Sequence, residues 1–423
     1  MKQAFYWFRN DLRLEDNVAL SAAAERYETL IPIYVLDESI ALQPFLGHDR
    51  MGPFRKKFLW ESLEDLRTSL NEKGGGLIIA QGQLDSIFKE LRDQYNTSAI
   101  CCVRGLGTEE QDQESLLSAA GFQVETQLDH CLYHPEDVPF DILDTPEVFT
   151  PFRKKTEKYA SVRQFKPVPS FKNALPIEPA SAIPSTLRDK AEQVDDRSAF
   201  PFQGGRSAGL ERLRYYLWES DLIQAYKETR NGLVGSDYSS KLSAWLSLGC
   251  ISAREVYHEV QRYEQERHKN SSTYWLVFEL MWRDFFQFML MKHGSKIFLP
   301  SGIQRKKAIW NHRPEVFESW INGTTANDFI NANMLEIKHT GFMSNRGRQV
   351  AASYLINDLD GDWRQGAAYF ESVLVDFDAA SNYGNWQYIA GVGNDPRPNR
   401  YFNPKTQAER YDPNNAFQRL WLA

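Results

Sequence analysis

The run Leu30-Ile-Pro-Ile-Tyr-Val-Leu36 decides the fold class. It is short, apolar and rich in Ile and Val, as a strand should be. The stretches on either side extend the pattern. Upstream, Phe5-Tyr-Trp-Phe8 is another short apolar run, followed by a helical stretch from Asp16 through Glu25. Downstream, Phe54–Lys73 reads as a long amphipathic helix and Gly76–Ala80 as a strand. Leu84–Gln94 (helix), Ala99–Val103 (strand), Glu109–Ala120 (helix) and Phe122–Thr126 (strand) complete the series. Strands alternating with helices imply an α/β domain whose parallel sheet is covered on both faces. Such sheets bind ligands beyond the carboxyl ends of their strands. No Gly-x-Gly-x-x-Gly follows the first strand, so a dinucleotide fingerprint is excluded there.

From Pro135 to Gly205 the periodicity breaks down, and Pro, Ser and charged residues accumulate, as in Lys166-Pro-Val-Pro-Ser170 and Ile177-Glu-Pro-Ala-Ser-Ala-Ile-Pro184. This reads as a long surface linker with one short helix near Phe152–Tyr159. Beyond Arg206 the chain is almost entirely helical. The expected organisation is residues 1–134 as an α/β domain, 135–205 as linker and 206–423 as an all-α domain. Strong helical segments are Ala208–Glu219, Ser240–Leu248, Ala253–Glu264, Thr273–Lys292, Glu315–Asn322, Thr325–Asn333, Asn345–Ile356 and Trp363–Val375.

Composition narrows the function classes. A net charge of −7 argues against non-specific coating of nucleic acid, though not against a local basic groove. Cys101, Cys102, Cys131 and Cys250 show neither metal spacing nor a disulfide framework. There is no signal-peptide pattern and no apolar run near the ~20 residues of a membrane span. A cytoplasmic protein without a metal site is thus expected, its 11 tryptophans read as large aromatic cores with stacking or electron transfer as the alternative.

Four constellations carry chemistry. In Tyr238-Ser-Ser-Lys-Leu-Ser243, three serines and a lysine open a helix after Gly235 and Asp237. A helix N-terminus lined with hydroxyls suits a pyrophosphate, and ordinary capping is the alternative. Tyr226 and Arg230 precede it and could close over the same ligand. In Trp275-Leu-Val-Phe-Glu-Leu-Met-Trp-Arg-Asp284, Trp275, Glu279 and Trp282 lie on one helical stripe, with Arg283 one step round. A planar ligand stacked on Trp282 with its polar edge at Glu279 competes there with a plain core stripe. In Thr340-Gly-Phe-Met-Ser-Asn-Arg-Gly-Arg-Gln349, Ser344 or Asn345 starts a helix on which Asn345, Arg348 and Gln349 share a face and Arg346 points elsewhere. Asp376-Phe-Asp-Ala-Ala-Ser-Asn-Tyr-Gly-Asn-Trp-Gln-Tyr388 reads as a polar-aromatic loop whose acids could answer Arg348.

These last two segments, with Trp-Arg-Asp-Phe-Phe, Trp7–Arg13, Val148-Phe-Thr-Pro-Phe-Arg-Lys154 and Gly-Val-Gly-Asn-Asp-Pro-Arg397, strongly resemble the photolyase/cryptochrome family, in particular its DASH type. The likeness covers nearly the whole chain. It implies FAD bound in the helical domain, with its phosphates on Ser239, Ser240, Lys241, Leu242 and Ser243 and Tyr226 nearby. It puts Arg283 beside the flavin and phosphates. Asp376 would pair with Arg348 next to the isoalloxazine, with Asp378 near ring and ribose and Asn382 facing N5. Trp386, Trp363 and Trp310 match the tryptophan chain that photoreduces the flavin, with Trp320 as the fallback outer member. Glu279, Asn345 and Trp282 match residues that meet a pyrimidine dimer. Tyr388 stands where general photolyases carry Trp, and Gln349 where many have Met. The resemblance therefore implies blue-light-driven repair of cyclobutane dimers, mainly in single-stranded DNA, by a monomer. Arg397 and Arg400 are candidate phosphate contacts.

The sequence departs from the family at three places. Asn331-Ala-Asn-Met-Leu335 lacks an acid and an arginine that normally occur together. Gly105 falls where DASH proteins carry a glutamate contacting a 5,10-methenyltetrahydrofolate antenna, with Glu109 as the substitute. Ala244 replaces a proline. The competing function is a blue-light photoreceptor signalling through flavin redox state. Retention of Glu279, Trp282 and Asn345, and an end at Leu420-Trp-Leu-Ala423 without a long tail, favour the enzyme. Repair of (6-4) photoproducts needs paired histidines, and His339 stands alone near the Thr-Gly motif.

Overall fold

The computed structural model describes the chain except for residues 1, 172, 175–181, 189–193, 307–308, 396 and 398–399. Part of the linker stretch 177–184 thus lies outside the described residues. Five parallel strands form the N-terminal sheet: β1 (Gln3–Phe8), β2 (Thr29–Asp37), β3 (Ile78–Gly82), β4 (Ala99–Val103) and β5 (Gln123–Gln127). Their order is β3-β2-β1-β4-β5, the doubly wound arrangement, which switches direction between β1 and β4. All five match the sequence reading within two or three residues. A two-residue strand, β6 (Asn173–Ala174), pairs with Thr29 and Leu30 of β2, so the linker itself adds to the sheet. It was not legible in the sequence, because two residues carry no periodicity.

One face of the sheet packs its own core around Phe5, Trp7, Ile31, Ile33, Phe88 and Ile100. The other face, with Tyr6, Phe8 and Leu36, belongs to a continuous core that runs into the helical region. A buried ionic knot joins the two parts. Asp129, after β5, receives Arg13 Nη2 at 2.6 Å and Arg254 Nη2 at 2.6 Å, and Arg254 also pairs with Asp16 at 2.9 Å.

The helices beyond residue 206 follow expectation with five corrections, the first being that the helix expected over Thr325–Asn333 is Asp328–Thr340. The Ala208–Glu219 segment is a helix over Arg206–Arg214 that widens into a π turn at Tyr215–Glu219. Likewise Asn345–Ser353 continues as a π turn through Tyr354–Asp358. The helix expected over Ser240–Leu248 is only Ser243–Ser247, so Tyr238–Leu242 is a loop. Its bend is set by Lys241, which has a positive φ of 61°. The polar-aromatic segment expected as a loop is instead a helix, Ala379–Ala390, capped where the Asp378 side chain accepts from Ser381 N. Two further helices, Pro404–Tyr411 and Ala416–Leu422, close the chain.

Candidate flavin and substrate site

The Asn345–Ser353 helix begins at Ser344, whose hydroxyl accepts from Gly347 N at 3.0 Å. That start fixes Asn345, Arg348 and Gln349 on one face, and all three line one cavity of about 110 Å³. The opposite wall comes from Asp376, Asp378, Asn382 and Trp386. Arg348 Nη2 grips both oxygens of Asp376, at 3.0 and 2.9 Å. Ser243 Oγ donates to the same carboxylate at 2.6 Å, so the serine loop and the cavity share one polar chain. Asn382 Nδ2 donates to Ala367 O at 3.0 Å, which orients its amide without using the amide oxygen. Arg346 leaves the face, as read, and sits over the Phe402 and Tyr411 rings.

The serine loop is built differently from a helix N-terminus. Arg212 reaches across it and donates to the carbonyls of Ser236, Ser239 and Ser240 at 3.0–3.1 Å. This holds the loop shape that a five-residue helix alone would not. Inside the loop lies Lys241, 3% exposed, with no hydrogen-bond partner for Nζ among the described residues. Tyr226 is buried nearby, edge-on to Tyr216. Arg230, expected to close over a ligand, pairs instead with Glu279 at 2.9 Å.

Glu279 receives Trp275 Nε1 at 3.1 Å, so the helical stripe closes on itself. Burial raises the Glu279 carboxyl pKa, with Arg230 and the Trp275 hydrogen bond opposing. Trp282 stacks on Phe149 at 3.8 Å and 12° and meets Tyr388 edge-on at 6.1 Å. Arg400 covers Tyr388: it lies 4.3 Å from the ring centroid, hydrogen-bonds the hydroxyl and pairs with Asp395. It is therefore engaged internally, while the Arg397 side chain is exposed. Arg283 does not enter the Arg348 cavity. It donates to the carbonyls of His130 (2.7 Å) and Leu246 (3.1 Å), and lines a second cavity of about 410 Å³.

The tryptophans form a graded series. Trp386 is 2% exposed, and its ring end lies where a Cβ on Gly366 would be 2.2 Å away. Gly366 is one turn from Trp363 on the Trp363–Val373 helix, and its missing side chain lets the Trp386 ring of the neighbouring helix approach that turn. Trp363 and Trp310 both donate Nε1–H to the Pro300 carbonyl, at 3.4 and 2.8 Å. Trp310 is half-buried, and so can serve as the outer member. Trp320 cannot be the outer member, because it is 0% exposed and packs edge-on against Trp386 at 6.2 Å.

Residues 4–172 match the family model "DNA photolyase", and residues 275–423 match "FAD binding domain of DNA photolyase". Cryptochrome DASH of Natronomonas pharaonis is 44% identical, covering 100% of this chain and 90% of its own. The chain belongs to the DASH family of cryptochromes. Cryptochrome DASH of Synechocystis is 43% identical over 98% of this chain and 86% of its own. The crystal structure of the Synechocystis cryptochrome superposes with a TM-score of 0.94, at 43% identity, over 99% of this chain and 88% of that one. A bacterial class III photolyase from Agrobacterium tumefaciens, 27% identical, gives 0.84 over 100% of this chain and 86% of its own. This DASH-family chain binds FAD in its helical domain. The residues fit that cofactor: apolar walls from Phe370, Leu374 and Ile389 suit a planar ring, and Arg348, Asn345 and Asn382 suit its polar edge. The orphaned ammonium of Lys241 suits a phosphate.

Among the described residues no cluster could hold a metal, and no helix is long and apolar enough to cross a membrane. All four cysteines are free and buried. The missing acid and arginine at Asn331 and Leu335 are compensated locally. Asn331 Oδ1 accepts from Thr325 N and Oγ1, and its amide donates to Thr325 O.

Proposed function

We propose that this chain opens cyclobutane pyrimidine dimers in DNA under blue light, preferentially in single-stranded or looped substrates. Bound FAD, reduced and photoexcited, supplies the single electron that the dimer accepts and then returns. The protein's part is to hold both partners dry and oriented. Arg348 and Asp376 fix the edge of the cofactor site, and Asn382 presents an amide to it. Asn345 and Gln349 border the same cavity. Glu279, whose carboxyl burial raises and Arg230 opposes, is the acid offered to a dimer carbonyl. Trp282 offers a face for stacking.

The observation that carries the strand preference is Tyr388. Its hydroxyl is tied to Arg400, and the guanidinium lies on its ring. One wall of the dimer pocket is thus polar and already covered. Enzymes that act on bases in duplexes, photolyases among them, spend a few kcal/mol on extrusion. A pocket with one aromatic wall fewer recovers less of that cost, and an unpaired strand asks for less.

The 410 Å³ cavity is lined by Arg9, Arg50, Arg55, Tyr34, Phe45 and Glu109 among others. Aromatic rings beside three guanidiniums suit a planar pigment with an anionic tail, and a folate antenna such as 5,10-methenyltetrahydrofolate is one. Glu109 lines this cavity and pairs with Arg50 at 2.8 Å.

The test is a thymine dimer in an oligonucleotide, single-stranded and as duplex, incubated with reduced protein in light and in darkness. Light-dependent repair of the single strand with little on the duplex is expected. Equal repair of both would remove the strand preference. No repair of either, with flavin bound and reduced, would leave a photoreceptor.

A further inference from the structure

Behind the serine loop lies a cluster of buried polar groups, of which only Lys241 has a role above. Lys241 Nζ sits 3.2 Å from the Tyr238 ring centroid and 4.4 Å from that of Phe342. Across from it, on the Asp328–Thr340 helix, Glu336 is 1% exposed. Three buried polar atoms here lack hydrogen-bond partners among the described residues: Lys241 Nζ, Glu336 Oε2 and Tyr238 Oη. An acid and a base buried this deeply, both short of partners, are costly to keep unless each answers the other or a ligand. The charges acting on Glu336 are Lys241 and Arg348, and its backbone neighbour is Ser344 N–H. Those acting on Lys241 are Glu336, Arg212, Arg348 and Asp376, and Tyr238 feels Glu336 and Arg348.

We propose that Glu336 is the positioning residue for the phosphate-binding lysine: it keeps its proton while the FAD phosphates are bound, so that Lys241 stays positive against the cofactor and Glu336 neutral behind it. The inference rests on the FAD reading and on Lys241 belonging to the phosphate loop. An anionic pyrophosphate beside Lys241 favours the ammonium and disfavours a second negative charge at Glu336. Burial has already pushed the Glu336 carboxyl up to about 8, with Lys241 opposing, and has pushed the Lys241 ammonium down. A protonated carboxyl does not oppose the phosphates, whereas a carboxylate does, and binding must then take up a proton. FAD affinity should therefore fall as pH rises through about 8, by up to tenfold per pH unit for one linked proton.

The test uses the holoprotein. FAD release is measured at equilibrium by dialysis from pH 6.5 to 9.5, for the wild type and for Glu336→Gln. In the wild type, affinity should weaken about tenfold between pH 7 and 9 with a midpoint near 8. In E336Q no transition should be centred there. A second readout is the infrared carboxyl stretch of the wild type, where one buried protonated carboxyl should be lost as FAD is released with rising pH. It remains decisive if E336Q folds poorly. A flat wild-type profile, an unchanged profile in E336Q, or no carboxyl loss as FAD is released overturns the proposal. Protein that never retains FAD at any pH would overturn the cofactor reading instead.

Discussion

At the scale of the residue, the site is a set of paired choices. Gln349 borders the 110 Å³ cavity as a polar group, and Tyr388 is tied to Arg400. Base–aromatic stacking is worth about 1–3 kcal/mol. The double variant Tyr388→Trp with Gln349→Met is therefore expected to raise repair of duplex dimers roughly tenfold while changing single-strand repair little. Parallel repair assays on the two substrates check this, and an unchanged ratio would show that the wall does not set the preference. Trp363 offers a cleaner separation of roles. Trp363→Phe should slow photoreduction of the oxidised cofactor by an order of magnitude or more, because the middle of the indole series is lost. Repair by chemically reduced protein should stay within about twofold, since no dimer-facing group is touched. Absorbance under illumination reads the first and chromatography of repaired thymine the second. These residues were legible because helical spacing alone puts Asn345, Arg348 and Gln349 on one face, as the cavity shows. Glu336 was not legible. Nothing in Met334-Leu-Glu-Ile337 marks a glutamate as buried opposite a lysine ninety-five positions earlier in the chain.

Elements explain what the residues cannot. The Ala379–Ala390 helix was hidden from a sequence reading because its buried face is partly polar. Asn382, Gly384 and Gln387 are buried beside Tyr383, Trp386 and Ile389, so no apolar period stands out. The N-cap at Asp378 was the available signal, three residues before Ser381. The serine loop failed in the opposite direction. Its polar run resembles a helix start, but Lys241 bends the backbone through a left-handed conformation and delays the helix to Ser243. The two neighbouring helices Trp363–Val373 and Ala379–Ala390 approach closely only because Gly366 has no side chain. A Cβ there would stand 2.2 Å from Trp386 Cη2 and 2.7 Å from Leu355 Cδ2. Gly366→Ala should gain helix propensity yet lose about 1–3 kcal/mol through overpacking, with Trp386 displaced. Denaturant unfolding measures the loss, and a slowed photoreduction would accompany it. A stability gain instead would mean that the helices separate without strain.

The molecule as a whole is held by an ionic knot that unites two kinds of architecture. The doubly wound sheet was readable from alternating strands and helices, and the helical part from its long amphipathic segments. What joins them was not, because Asp16, Asp129, Arg13 and Arg254 look like ordinary charged residues spread over 240 positions of sequence. In the fold Asp129 is 5% exposed and takes one guanidinium from each part, at 2.6 Å each. Pairs this deep do not stabilise much relative to an apolar contact, but breaking one leaves the remaining charges buried and uncompensated. Asp129→Asn leaves Arg13 with only the carbonyls of Asp16 and Gly249, and Arg254 with Asp16 as its remaining carboxylate. The expected cost is about 3–5 kcal/mol. It should fall on the union of the two parts rather than on either core, since neither hydrophobic cluster includes these side chains. Lys89→Gln serves as control: its pair with Asp85 is half-exposed on one helix and should be worth under about 1 kcal/mol. Urea unfolding followed by tryptophan fluorescence, with limited proteolysis of the linker, measures both variants. A large loss with early linker cleavage in D129N, and almost none in K89Q, would show that the cavity between the parts depends on the knot. Equal small losses in both would mean that apolar packing alone joins sheet and helices.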